Sequence, residues 1–64
     1  MYKIAYIDPF TYELVREDAA DLDEARSLAR IRSLWFGDVS IIGEDGAIVE
    51  IYYREKCVLT TIPA

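Results

Sequence analysis

This chain of 64 residues contains a single cysteine, Cys57. No internal disulfide can form, so the fold must be held together by burying apolar side chains. A chain this short buries only about 60% of the surface that it exposes when unfolded. Hydrophobic residues make up 53% of the sequence, which is enough for a core and argues against disorder. The length predicts one domain, spanning residues 1–64.

Alternation of apolar and polar residues predicts several strands separated by turns. The predicted strands cover residues 2–7, 12–17, 39–42, 47–53 and 57–62, with Pro63 ending the last of them. The predicted turns lie at residues 8–11, 43–46 and 54–56. We expect Cys57 to be half-buried in the last strand, since a strand cysteine behaves as a small apolar side chain.

One amphipathic helix is predicted between the second and third strands. Asp21 and Glu24 have the spacing of a capping box, with Asp in place of the usual Ser or Thr. The residues that share an apolar helical face are Leu22, Ala25, Leu28 and Ala29. We expect the helix to fray near Arg32, after which Trp35 and Phe36 fold back as core anchors.

The order of elements, ββαβββ, predicts an α+β fold in two layers. An antiparallel sheet of about five strands forms one layer, and one α-helix packs on one face of it. The second face of the sheet has no helix to cover it, so it meets water or a partner.

The acidic composition constrains the kind of partner. Twelve acidic residues against seven basic ones give a net charge of −5, which is poorly suited to direct nucleic-acid binding because that binding relies on Lys and Arg. An acidic surface instead suits a basic protein partner. The sequence has no long uninterrupted apolar run, which predicts no membrane span and no signal peptide, and hence a cytoplasmic protein.

The residue types present argue against catalysis. The chain has no histidine, so zinc has no suitable ligand set and Cys57 has no histidine partner to activate it as a nucleophile. The acidic residues lack the spacing of a calcium loop, and paired carboxylates would need a cleft to act as acid and base. We therefore expect a protein that is not an enzyme and that holds no cofactor or metal.

A set of acidic residues and one tyrosine are the candidate partner-binding residues. Tyr52 and Tyr53 are adjacent in a strand, so their side chains point to opposite faces and one of them can serve as an apolar contact. For the carboxylates, the alternative interpretation is ordinary solvation and helix capping. The candidates are Glu17, Asp18, Asp21, Asp23, Glu24, Glu44, Asp45 and Tyr52.

A family resemblance rests on four stretches of the sequence, which are residues 22–29, the segment 35–39, the turn 43–46 and the strand 48–52. With these stretches the chain resembles the small phage-encoded anti-CRISPR proteins over roughly residues 2–56. The resemblance implies a stoichiometric inhibitor of a type I CRISPR surveillance complex in the bacterial host cell. Such an inhibitor binds a CRISPR effector subunit and competes with target DNA through a DNA-mimicking acidic surface. It would act as a monomer or a weak homodimer.

Two other functions fit the sequence. One is a phage or bacterial accessory adaptor or oligomerisation module without catalytic activity, which would use the open sheet face or an edge strand. The other is an enzyme or a small-ligand binder, which would require a deep pocket.

Overall fold

The computed structural model describes residues 1–62, in which five strands and one helix follow the order ββαβββ. The predicted strands at residues 2–7 and 39–42 are confirmed with these bounds. Pro63, predicted to end the last strand, lies outside the described residues. The elements are β1 (Tyr2–Ile7), β2 (Leu14–Ala19), α1 (Leu22–Phe36), β3 (Val39–Ile42), β4 (Ile48–Tyr53) and β5 (Lys56–Thr60).

The five strands form one antiparallel sheet in the order β2-β1-β3-β4-β5. β1 lies between two partners, so that Ile4 pairs with Glu17 of β2 on one side and with Ile41 of β3 on the other. α1 packs across β1, β2, β3 and β4 on one face of this sheet. The predicted α+β two-layer fold is therefore confirmed, with one sheet face covered and the other open.

The hydrophobic core lies between the helix and the sheet, where the apolar face of α1 packs on one face of the strands. Small side chains at Ala25 and Ala29, four residues apart and fully buried, let the helix approach the sheet closely. Burial of each large apolar side chain contributes roughly 1.5–3 kcal/mol, which is how the fold holds together without a disulfide. Alternate residues of β1 and β3 supply the sheet side of this core: Ile4, Tyr6, Val39 and Ile41.

The helix is longer than the sequence predicts. Arg32 does not mark a frayed end, because its guanidinium is held by the Glu17 carboxylate of β2 and the helix continues for another turn to Phe36. It ends at Gly37, whose φ of 80° is readily adopted only by glycine. Phe36 stacks on the ring of Tyr6 with centroids 4.8 Å apart, so its predicted core role is confirmed. The core role predicted for Trp35 is wrong, because the regular helix points this side chain away from the sheet and leaves it 73% exposed.

Three strand starts differ from their predicted positions. β4 begins at Ile48 rather than at residue 47, and turn geometry moves the other two. Tyr12 has a φ of 60° and donates its N–H to the Asp8 carbonyl, so β2 begins at Leu14 rather than at residue 12. The turn between β4 and β5 places Arg54 and Glu55 at φ values of 48° and 70°. Positive φ at both central residues is what a type I′ hairpin turn requires, and it starts β5 one residue earlier than predicted.

Cys57 is exposed rather than half-buried, which corrects the sequence-based expectation. It lies in β5, where all five residues are exposed. The helix packs on the other four strands, and β5 lies beyond them at the edge of the sheet. The thiol donates to the carbonyl of Leu59 in the same strand, with 3.2 Å between sulfur and oxygen.

Candidate acidic interface

The antiparallel register gathers most of the predicted carboxylates at one end of the sheet. Lys3, near the start of β1, pairs with Asp18 near the end of β2 and with Ile42 at the end of β3. The start of α1 and the turn between β3 and β4 therefore lie at this same end. Six exposed acidic residues form this surface, which we call the carboxylate end: Asp18, Asp21, Asp23, Glu24, Glu44 and Asp45.

Three members of the carboxylate end lie at the start of the helix. Asp21 is the N-cap, and its Oδ1 accepts the N–H of Glu24 at 2.8 Å, as the capping-box spacing predicts. Asp23 and Glu24 occupy the first turn, where the partial positive charge of the helix dipole offsets part of their mutual repulsion. Asp21 therefore has a structural role, whereas Asp23 and Glu24 present their side chains to solvent.

The turn between β3 and β4 supplies two further carboxylates. Asp45 Oδ1 accepts the N–H of Ala47 at 3.0 Å, which helps to fix the shape of the turn. The Glu44 side chain contacts the terminal ammonium of Met1, and hydrogen bonding to that ammonium lowers the pKa of Glu44. Lys3 lies 3.8 Å from Asp18 in an exposed ion pair, and pairs of this kind contribute little to stability.

Glu17 is not part of this surface, although the sequence places it beside Asp18. Its carboxylate lies between the helix and the sheet and receives two hydrogen bonds from Arg32, at 2.8 and 3.0 Å. The Tyr6 hydroxyl donates a third at 2.8 Å. Arg32 is the main reason that the pKa of Glu17 is lowered, while burial, then the bond to Glu17, raises the pKa of Tyr6. The Glu17 carboxylate therefore joins the helix to β2.

Glu50 forms a second helix–sheet ion pair, which sequence reasoning did not identify. Arg26 donates to both of its carboxylate oxygens, at 2.9 and 3.0 Å. The Tyr52 and Thr60 hydroxyls donate to the same carboxylate at 3.2 and 2.8 Å. The bonds from Arg26 are the largest cause of the lowered pKa of Glu50. Glu50 is 4% exposed, so this pair is sheltered from solvent on the sheet side.

Tyr52 is not available as the predicted partner contact, because it lies under the helix and is 3% exposed. Its pKa is raised first by burial and then by the negative charge of Glu50. Tyr53 points to the opposite face, as strand alternation requires, and is 41% exposed. Of the two adjacent tyrosines, Tyr53 is therefore the one that a partner could reach.

Several large apolar side chains are exposed at positions that the sequence analysis did not single out as contacts. Ile31, Leu34 and Trp35 form a stripe on the outer face of α1, with spacings of three and four residues. Phe10 and Tyr12, in the loop between β1 and β2, are 88% and 81% exposed. Once the helix is continued to residue 36, its periodicity places Trp35 away from the buried face. The exposure of Trp35 could therefore have been predicted from the sequence.

The open sheet face carries a cleft of about 650 Å³. Ala5 and Ser40, which are partners across β1 and β3, provide small side chains in its lining. Ile7 and Leu14 add apolar surface, and Arg16 adds a positive charge. Most of the lining is uncharged, unlike the carboxylate end, although Glu44 belongs to both, and the sequence did not predict the cleft as a site.

Residues 1–62 contain neither a cluster of metal-binding side chains nor a helix that could span a membrane. Within these residues, no three acidic or cysteine side chains come together as a group that could hold a metal ion. The helix in the same part of the chain is not long and apolar enough to cross a membrane. Comparison with protein-family models, curated proteins and solved structures finds no match.

Proposed function

We propose that this chain is a non-catalytic inhibitor that binds a basic, nucleic-acid-binding protein through its carboxylate end. The observation that carries the proposal is the gathering of six exposed carboxylates, from three separate parts of the chain, at one end of the sheet. A binding surface of one sign steers a partner of the opposite sign and fixes its orientation.

The distribution of the arginines strengthens this acidic surface. Arg26 and Arg32 are each bound to a carboxylate between helix and sheet, so their charges are neutralised within the fold. Two of the seven basic residues are therefore not free to neutralise the carboxylate end. A protein groove that binds a phosphate backbone carries clustered Lys and Arg, and a carboxylate surface competes for the same positive potential.

The resemblance to anti-CRISPR proteins favours a type I CRISPR surveillance complex as the target, in the cytoplasm of a bacterial host. Binding to the DNA-binding surface of an effector subunit would exclude target DNA by both bulk and charge. Because both the inhibitor and DNA would bind through charge, we expect the inhibition to weaken as salt concentration rises.

The test is a competition assay with purified type I surveillance complex, labelled target DNA and the wild-type protein or a charge-reversed variant. The variant replaces Asp23, Glu24 and Glu44 with Lys and leaves the structural carboxylates Asp21 and Asp45 in place. We expect the wild type to be captured by the complex and to displace DNA, and the variant to do so at least about tenfold less well, since loss of several charge contacts costs more than 1.4 kcal/mol.

A matched control carries the same change in net charge at the opposite end of the sheet. It replaces Glu13, Asp38 and Glu55 with Lys, all of which are exposed and lie in the turns at that end. Equal loss of inhibition in both variants would show that net charge rather than the carboxylate end is responsible. Capture with DNA binding intact would move inhibition to a later step, and failure of the wild type to bind the complex would refute this target.

A second candidate function is an oligomerising adaptor. It is favoured by one observation, that all five residues of the edge strand β5 are exposed.

A further inference from the structure

The floor of the cleft on the open sheet face is a row of three residues. Ala5 of β1 pairs with Ser40 of β3 on one side and with Arg16 of β2 on the other, and all three line the cleft. Because Ala5 and Ser40 have small side chains, the sheet surface is low beside Arg16. The resulting volume of about 650 Å³ is in the range of binding sites and can hold a large side chain.

Larger side chains border this row on both sides. Ile7 and Leu14 pair across β1 and β2 at the side towards the β1–β2 loop, and they are 48% and 52% exposed. Ile42 and Lys3 pair across β3 and β1 at the side towards the carboxylate end. Asp38, just before β3, lines the margin farthest from the carboxylate end. An apolar interior with charged residues at its margin is the usual arrangement of a protein–protein contact.

The cleft is continuous with the carboxylate end. Glu44 belongs to both, and Lys3 lines the cleft while it pairs with Asp18 of the carboxylate end. Ser40 precedes Glu44 by four residues, so their Cα atoms are at most about 14 Å apart. A segment that places basic residues on the carboxylate end can therefore reach the cleft.

Arg16 determines which side chain of a basic partner fits the cleft. Among residues 1–62 it has no ion pair, whereas Arg26 and Arg32 each have one. Its charge opposes a Lys or Arg of the partner, and a carboxylate would lose hydration beside Ile7 and Leu14. The face of an aromatic ring carries a negative potential, and the ring packs against both a guanidinium and apolar side chains. An aromatic side chain therefore fits best.

We propose that the basic partner inserts an aromatic side chain into this cleft while its Lys or Arg residues contact the carboxylate end. This inference rests on the proposed function, because it names a second element of the same partner. Exposed charge pairs contribute little to affinity, whereas a buried aromatic side chain contributes much. The carboxylate end then orients the partner, and the cleft slows its dissociation.

The test titrates the full chain with two peptides that have blocked ends and follows the amide chemical shifts by NMR. One peptide is Lys-Lys-Gly-Gly-Gly-Phe, and the other has Ala in place of Phe. The second Lys precedes the aromatic residue by four positions, as Ser40 precedes Glu44. We expect the Phe peptide to bind at least about threefold more tightly. It should shift the amide signals of Ala5 and Ser40, which the Ala peptide should leave unshifted.

Three variants separate the cleft from simple charge attraction. Both peptides carry the same charge, so the ratio of their affinities reports on the aromatic contact. Ser40→Leu fills the floor and should bring the ratio close to one, whereas Ser27→Leu makes the same change on the exposed face of α1 and should leave it unchanged. Arg16→Gln makes the protein more acidic, yet it should lower the ratio about twofold because the guanidinium is absent.

The outcomes distinguish this inference from the proposed function. Equal affinities of the two peptides for the wild type, unshifted Ala5 and Ser40 signals, or a ratio that Ser40→Leu leaves intact would each refute the aromatic contact alone. Replacing Asp23, Glu24 and Glu44 with Lys should weaken both peptides. Unchanged binding of both to that variant would refute the carboxylate end as the basic-binding surface, and with it the proposed function and this inference.

Discussion

Removing the Glu50 carboxylate should destabilise this protein more than removing any exposed acidic side chain. Glu50 is 4% exposed and accepts hydrogen bonds from Arg26, Tyr52 and Thr60. The substitution Glu50→Ala deletes the acceptor of all these bonds and leaves the donors in place. The three donors differ in how easily water can replace the lost carboxylate, and this difference determines how much stability the substitution removes.

The largest part of the cost comes from Tyr52, which is 3% exposed and cannot turn its hydroxyl to water. An unsatisfied buried donor costs about 1–3 kcal/mol. The Arg26 side chain is 33% exposed and Thr60 is exposed, so water can reach both and they add less. Together with the lost packing of the Glu50 side chain, we expect the free energy of unfolding to fall by about 3 kcal/mol. Chains of this size have a free energy of unfolding of about 3–10 kcal/mol, so the variant should be marginally folded.

The measurement is urea and thermal unfolding of Glu50→Ala beside Glu13→Ala, a control at an exposed carboxylate. We expect the Tm of Glu50→Ala to fall by about 15 °C and that of the control to change by only about 2–3 °C. In a Tyr52→Phe background the orphaned hydroxyl is absent, so the cost of Glu50→Ala should shrink by about 1 kcal/mol or more. A Glu50→Ala variant within about 1 kcal/mol of wild type would refute this reasoning.

Three further outcomes follow from other contacts. Trp35→Ala should change the free energy of unfolding by no more than about 0.5 kcal/mol, because the side chain is largely exposed, and a larger loss in urea unfolding would contradict the helix register. Glu55→Gly should stabilise the protein by about 0.5–1 kcal/mol, because glycine relieves a φ of 70°; a lower Tm would contradict this. Glu17 and Glu50 have lowered pKa values, so their contribution to stability is fully present above the usual Glu value of 4.5 and is lost as pH falls through the folded-state values. Urea unfolding at a series of decreasing pH values should therefore show a weaker pH dependence in Glu50→Ala than in wild type, and equal dependences would contradict the assignment.

Much of the fold could be predicted because it depends on local patterns. Alternation of side chains identified β1 and β3 with their bounds, and the spacing from Asp21 to Glu24 identified the helix start. The shifted starts of β2 and β5 depend on residues at positive φ, Tyr12 and Glu55, which are not glycine. Turn propensity gives no warning of such positions, because the surrounding strands impose them.

The candidate site was harder to predict because the sequence does not show how the strands pair. Charge counting treats Glu17 and Asp18 alike, yet one contacts Arg32 under the helix and the other faces solvent. The same limitation applies to Tyr52, which was expected on a contact surface and lies in the core. Which sheet face the helix covers decides both cases, and that choice depends on contacts between residues far apart in sequence.

The two helix–sheet ion pairs link the stability of the fold to the position of the carboxylate end. Arg26 and Arg32 lie six residues apart on α1, and each is bound to a glutamate that also accepts a hydrogen bond from a core tyrosine. Burying charged pairs is costly compared with apolar contacts, but the paired hydrogen bonds of an arginine allow few orientations. These pairs thereby restrict rotation and sliding of α1 on the sheet. Because the first turn of α1 carries part of the carboxylate end, we infer that Glu17 and Glu50 hold the exposed acidic residues in position.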